Sequence, residues 1–261
     1  MFDKNGILLD VFPTTVGKEE LLYYPRATKL NIVATANIDP GQMDLTPVTV
    51  GTTKIDEVEA ILRQAGNYLS HNYYSYPADI FSGKLTIDNV DTQGTVDLPI
   101  RRLVSAVMVR IKGLKEHIDA PAATDDDFVV ILSTQYNKVN FHGQAGLSTR
   151  SDCPVPDKLT GISRRAYGKE YHEFPGQTSG DRTDYVRIIS TYEGSAVTVG
   201  VYYKDQPVAG TPITTYSDGS PIMVVHDQLN VIVIYFQSVA GCNVQLRIAP
   251  WNGGLEIEKD F

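Results

Sequence analysis

Cysteine is scarce in this chain of 261 residues: Cys153 and Cys242 are the only two. They lack the paired spacing of a structural zinc site. Two readings stay open for them, unpaired thiols or one disulfide formed in an oxidising compartment. Positive charge is also short, with 23 Lys and Arg against 31 Asp and Glu and a formal net charge of −8. A surface that tracks phosphates needs clustered cations, and the pairs Arg101–Arg102 and Arg164–Arg165 are too isolated to provide one. Nucleic acid is therefore excluded as a partner. No apolar run approaches the roughly 18 residues of a membrane-spanning helix.

Catalytic signatures are missing as well. There is no G-x-S-x-G elbow, and the glycine-containing stretch from Gly176 to Asp181 lacks the lysine of a phosphate-binding loop. His71, His117, His142, His172 and His226 are scattered, with none four residues from another, so no zincin-type ligand pair exists. Asp125, Asp126 and Asp127 lack the spaced positions and turn glycine of a calcium loop, and read as solvated linker charge. The sequence thus assigns no catalytic residue, no cofactor and no metal. One alternative stays open: β-sandwich glycosidases use two carboxylates from different strands, which a sequence alone does not pair.

Strand-forming residues are abundant. Fifteen Tyr accompany many Val, Ile and Thr. The most informative stretch runs from Asp79 to Leu114. Within it Leu103, Val107, Val109 and Ile111 fall on one face of an extended strand, and Val104, Ala106 and Met108 on the other. Apolar side chains on both faces mark a strand buried between layers. An alternating segment, Lys84 to Ile87, and a turn at Gly94 precede it, which predicts sequential antiparallel pairing. The Arg101–Arg102 pair opens that strand, where a long cationic side chain is expected to lie along the sandwich end with its head in water.

Other strands are predicted at Ile7 to Phe12, Lys29 to Ala36, Phe128 to Thr134, Glu170 to Phe174, Asp184 to Tyr192, Ala196 to Tyr203, Leu229 to Phe236 and Cys242 to Ala249. The segment from Leu229 to Phe236 is apolar on both faces and must be central. Pro207 and Pro212 confine their short strands to sheet edges. One amphipathic helix is predicted at 53–65, with Thr53 as cap, Ile55, Val58, Ile61, Leu62 and Ala65 as its stripe, and Gly66 as its stop. The stretch 116–127 has no periodicity and reads as a linker. It divides the chain into a β-sandwich at residues 1–115 and a second at 128–261. The long span between Phe141 and Asp181 is the first place to seek an interface.

Tyr68, Tyr73, Tyr74 and Tyr76 cluster after the predicted helix. Exposed tyrosines can stack on sugar rings or on a partner. The other reading is that they tuck a connection against the core. The front of the chain carries no positively charged, apolar leader. Phe2 to Gly6 reads as a strand end and tight turn with almost no strand before it. The expectation is that a preceding segment has been removed.

Several of these residues, in this order, resemble the FimB/Mfa2-type fimbrial anchor and accessory proteins of Bacteroidetes. Phe2-Asp3-Lys4-Asn5-Gly6 is similar to that family's early hairpin, and Lys29 to Asn37 to its second strand. Arg102 to Gly113 resembles the Arg-led strand that closes the first domain, and Ile248-Ala249-Pro250-Trp251 the last-strand close. The resemblance implies two transthyretin-like antiparallel β-sandwiches, and with the helix predicted at 53–65 the expected fold is all-β apart from one short helix in the first. It also implies export to the cell surface, fimbrial subunits (pilins) as partners, and an outer-membrane lipid anchor upstream of this chain. Assembly by strand addition would suit such a subunit, with the alternating Leu255 and Ile257 as a candidate donor strand. The competing function is a cell-surface carbohydrate-binding β-sandwich protein.

Overall fold

The computed structural model describes residues 1–24, 28–68, 71–74, 77–88, 94–112, 114–120, 127–146, 159–164, 171–174, 186–208, 212–236 and 242–250. Strands dominate it. In chain order they begin with β1 (Leu30–Ala36), β2 (Met43–Leu45), β3 (Glu59–Leu62), β4 (Gln64–Tyr68) and β5 (His71–Tyr74). Next come β6 (Phe81–Ile87), β7 (Arg101–Arg102) and β8 (Val104–Lys112), followed by the five-residue helix α1 (Leu114–Ile118). The chain continues through β9 (Phe128–Thr134), β10 (Lys138–Asn140), β11 (Ala145–Gly146), β12 (Leu159–Arg164), β13 (Tyr171–Phe174) and β14 (Val186–Ile189). It closes with β15 (Ser195–Tyr203), β16 (Gln206–Pro207), β17 (Met223–Val224), β18 (Gln228–Phe236) and β19 (Cys242–Pro250).

Two five-stranded sheets form the larger sandwich. One runs β13-β8-β18-β19 with β14 also on β8, and the other β12-β9-β15-β16 with β17 on β15. Val107, Val109, Ile111, Ile232 and Ile234 project from the first sheet onto Val130, Leu132, Val197, Val199 and Val201 of the second. The β8–β18 ladder is parallel, with Val109 opposite Ile232. Ala106, Met108, Leu229, Val231 and Val233 lie on the other face of the same two strands and are buried too. Strands apolar on both faces are what a parallel pair at the centre of a fold requires.

The remaining strands build smaller sheets: β1-β6-β7, β11-β10-β3-β2 and the hairpin β4-β5. Met43, Ala60, Leu62, Tyr74, Ile80, Leu103, Val104, Val139 and Ile189 share one core there. Phe2, Leu8, Ile55 and Val58 form another, with Val33 and Phe141 packed on it.

Most predicted strands are present within a residue or two, including β9 and β18. Four expectations are corrected. The first is the helix at 53–65, of which only the 3-10 turn Ile55–Glu57 forms. Lys54 N–H donates to the Glu57 carboxylate as in a capping box. Val58 then turns extended, and β3 and β4 follow. The reason is that Ala60, Ile61 and Leu62 are all buried, and strands on both sides, β2 and β10, satisfy their backbone. A short apolar run fits either period, and ladder partners decide it. Second, Ile7 to Phe12 makes only isolated bridges at Ile7 and Leu8 rather than a strand.

Third, β6 does not pair with the buried strand β8. Its antiparallel neighbours are β1 and the two residues of β7. Fourth, the Arg102 head is not in water. Its Nε and Nη2 donate to the Asp79 carboxylate at 2.7 and 3.1 Å, and its Nη1 to Asp227 at 2.6 Å. The β8–β18 and β3–β10 ladders both join segments from opposite sides of residues 116–127.

Candidate assembly site

The hairpin at the start of the chain positions the edge of β1. Asp3 folds the turn, its carboxylate accepting from the Asn5 and Ile7 amides at 2.8 Å each, and its carbonyl accepting from Gly6 N–H. Gly6 holds φ +75°, which glycine adopts without steric cost. Phe2 and Leu8 are thereby turned inward onto Ile55 and Val58. Phe2 also exchanges both main-chain hydrogen bonds with Asn31, at 2.8 and 2.9 Å.

That single rung fixes which way β1 faces. In an antiparallel ladder alternate residues point to opposite neighbours. Asn31 points away from β6, so Val33 and Thr35 do too. Neither has a main-chain partner on that side among the described residues. Val33 is half-buried against Phe2 and Leu8, and Thr35 is exposed. Asn37, at φ +60°, ends the strand. Among the described residues that edge is thus unpaired over about two rungs, in line with Met1–Phe2, beside a core and carrying no charge. Such an edge is a template for another strand.

The arm that follows the hairpin adds apolar surface. Val11, Val16, Leu21 and Tyr23 are exposed along it, as are Val48 and Val50 on the neighbouring turn. The arm is tied back where the Tyr24 hydroxyl donates to Asp10 at 2.9 Å. Burial and that carboxylate push the Tyr24 phenol up to about 12.

The residues singled out in the sequence fare unevenly. Tyr74 is buried in one core with Met43 and Ile80. Tyr68 and Tyr73 belong to the β4–β5 hairpin, Tyr73 opposite Gly66 and Tyr68 opposite His71. Tyr76, Cys153, Leu255, Ile257 and most of the span between Phe141 and Asp181 lie outside the described residues. Cys242 opens β19 opposite Phe236. No cluster of His, Cys, Asp and Glu among the described residues is arranged to hold a metal. No helix among them is long and apolar enough to cross a membrane.

A polar junction was not legible in the sequence. Arg102 is clamped by Asp79 and Asp227: burial opposes its charge, but the two carboxylates outweigh burial and hold it charged. Next to it, His226 Nδ1 lies 2.8 Å from Ser190 Oγ, and Ser190 Oγ 2.7 Å from Ser105 Oγ. Tyr192 covers the ring at 4.4 Å. Burial lowers the His226 pKa, assisted by the Arg102 charge and opposed by Asp227 and a hydrogen bond with the Arg102 main chain. Although a serine and a histidine meet here, Ser190 is buried and its hydroxyl bridges two other groups. The junction ties β8, the end of β14 and the turn before β18 together. It is built as a brace.

Layered cores built almost wholly of strands place the chain in the all-β class. The comparisons specify it. The family profile described as "Fimbrillin-A associated anchor proteins Mfa1 and Mfa2" matches residues 1–253, and the chain belongs to that family. Its fold is shared with the fimbrial anchor protein Mfa2 of Porphyromonas gingivalis, at 16% identity and a TM-score of 0.52 over 96% of this chain and 87% of that one. A candidate polysaccharide-binding protein of Bacteroides thetaiotaomicron aligns at 14% identity and TM-score 0.57, over 96% and 86%. A candidate adhesin of Bacteroides ovatus aligns at 9% and 0.53, over 98% and 86%. No curated protein matches the chain.

Proposed function

We propose that this chain is a non-catalytic fimbrial anchor or structural subunit of the bacterial surface, and that it holds pilin subunits by accepting a strand at the edge of β1. The main chain of Val33 and Thr35, which has no partner on that side among the described residues, carries the reading. A joint under tension needs hydrogen-bond ladders continued across it, and strand addition provides them. A strand entering antiparallel to β1 runs in line with Met1–Phe2, and its apolar side chains on one face join the core of Phe2, Leu8 and Val33. Family membership supports pilins as the partners and the cell surface as the place. Attachment to the outer membrane by an upstream lipid anchor belongs to the same proposal, as does Leu255–Ile257 as donor strand.

Thr35→Pro tests it. Proline is tolerated at a strand edge but removes the N–H an incoming strand requires. The variant is expected to fold normally and to lose pilin incorporation. Unchanged incorporation would sink the β1 site. The competing reading is carbohydrate binding, which the name of the Bacteroides thetaiotaomicron neighbour raises. The buried ring of Tyr74 weighs against a four-tyrosine platform. Saturable glycan binding lost in Tyr73→Ala would reinstate it, and glycan hydrolysis would refute the non-catalytic reading.

A further inference from the structure

We propose that the opposite edge of the same sheet, at Lys84 and Thr86 of β6, is a second strand-accepting site, and that it takes an extended partner segment alternating acidic with apolar residues. Ile80 carbonyl accepts from Leu103 N–H at 2.9 Å, and Ser82 pairs with Arg101. Even-numbered residues of β6 therefore direct their main-chain groups towards β7. Lys84 and Thr86 come next in that series. Both are exposed, and neither has a main-chain partner on that side among the described residues.

The reason the ladder stops is Pro99. Continuing the register of Ser82 with Arg101 sets Lys84 opposite residue 99. That rung needs an N–H, which proline lacks. The chain leaves the sheet plane there instead: a Cβ on Gly83 would lie 2.1 Å from the Pro99 carbonyl oxygen. Pro99 and Ile100 thus pass over the Gly83 face, and residues 94–100 make no main-chain hydrogen bond among the described residues. The crossing covers that face without closing the edge of the sheet.

The two faces beside that edge state what fits. An added strand would set one row of side chains next to Lys84 and Thr86, and the other next to the half-buried Leu85 and Ile87. Lys84 Nζ contacts His142 Nδ1 at 3.1 Å and no described carboxylate. A carboxylate on the first row and an apolar group on the second complement these faces. A basic strand is repelled, and a lysine on an edge is the usual guard against indiscriminate pairing.

Hydrogen exchange on the free chain is expected to show unprotected Lys84 and Thr86 amides. A short peptide alternating valine with glutamate should bind and protect both, and its valine–lysine counterpart should not. Lys84→Glu should invert that preference, by about tenfold or more in Kd. Pro99→Val restores the missing N–H, lets residues 98–100 join β6, and should abolish binding in a chain whose thermal melt shows it folded. Thr35→Pro, on the β1 edge, should leave binding unchanged. Protection of both amides in the free chain, or peptide binding indifferent to Lys84→Glu and Pro99→Val, overturns the proposal. Binding lost only in Thr35→Pro would assign the peptide to β1 and overturn it equally, while leaving the β1 reading intact.

Discussion

Val109 and Ile232 are fully buried neighbours on parallel strands, one from the middle of the chain and one from near its end. Parallel strands require a long crossover, and here it spans everything from α1 to β17. Every residue of the central ladder therefore depends on a contact made late in the sequence. Folding of the larger sandwich is expected to be slow for its size, because its loop must close before the ladder stabilises it.

Truncation at the centre should be costly. Ile234 lies opposite Ile111, is fully buried, and packs in the core between the two large sheets. Ile234→Ala removes buried methylene groups and leaves a cavity in a rigid layer, so a loss of about 2–5 kcal/mol is expected. Denaturant unfolding measures it. A change under about half a kcal/mol would mean that the layer collapses around the site.

The same ladder governs how the chain can be divided. A fragment of residues 1–115 keeps β8 but loses β18, β13 and β14, which are its only sheet neighbours among the described strands. It also loses β10, the partner of β3. Val107, Val109 and Ile111 would then face water, as would the unpaired edges of both strands. The fragment is expected to be aggregated or unfolded by circular dichroism and size exclusion. A soluble, cooperatively melting fragment would instead support 116–127 as a domain boundary.

The strands were legible because period-two alternation and two-sided apolar runs report burial locally. Leu229 to Phe236 shows this: its pattern demanded a central position, and β18 is central. Its parallel partner was not legible, since pairing between residues 109 and 232 leaves no local mark. The stretch around Ile61 failed for a different reason. Its apolar spacing suits a helix, and only the flanking β2 and β10 make it a strand. At the candidate site, the Phe2–Gly6 turn was visible from its residue types. The open rungs at Val33 and Thr35 follow from hydrogen-bond parity, which a sequence does not carry. The Asp79–Arg102–Asp227 brace likewise joins residues from three distant segments.

Gly83 should be intolerant of a side chain, although it sits in a strand where alanine is ordinarily neutral or better. The Pro99 carbonyl oxygen lies 2.1 Å from the position of a Cβ there, and the obstruction is backbone rather than a movable side chain. Gly83→Ala must push residues 98–100 away from the sheet, at a cost of about 1–3 kcal/mol. The half-buried Leu98 and Ile100 should become accessible to protease or to an apolar dye. A variant with native stability would show that the crossing segment is only loosely held.

The brace around His226 gives the fold a pH dependence whose sign follows from burial. Ser190, the main chain of Arg102 and the ring of Tyr192 enclose the imidazole, with the Arg102 and Asp227 charges beside it. Its folded-state pKa is lowered, chiefly by burial, below the ordinary value of about 6.5. Between those two values the unfolded chain binds the proton and the folded chain does not, so stability rises with pH across that window. Acidification below about 6.5 should therefore destabilise the fold until the lowered pKa is passed, after which this group contributes no further slope. Carboxylates throughout the chain add to the acid loss lower down, so the informative quantity is a difference. His226→Gln keeps a polar group within reach of Ser190 but removes the titration. Its melting temperature is expected to fall less than that of the parent between pH 7 and pH 5, two conditions that bracket the ordinary imidazole value of about 6.5. Parallel melting curves across that range for parent and variant would show that protonation of His226 is equally easy in both states, and that the junction is more open to water than its packing indicates.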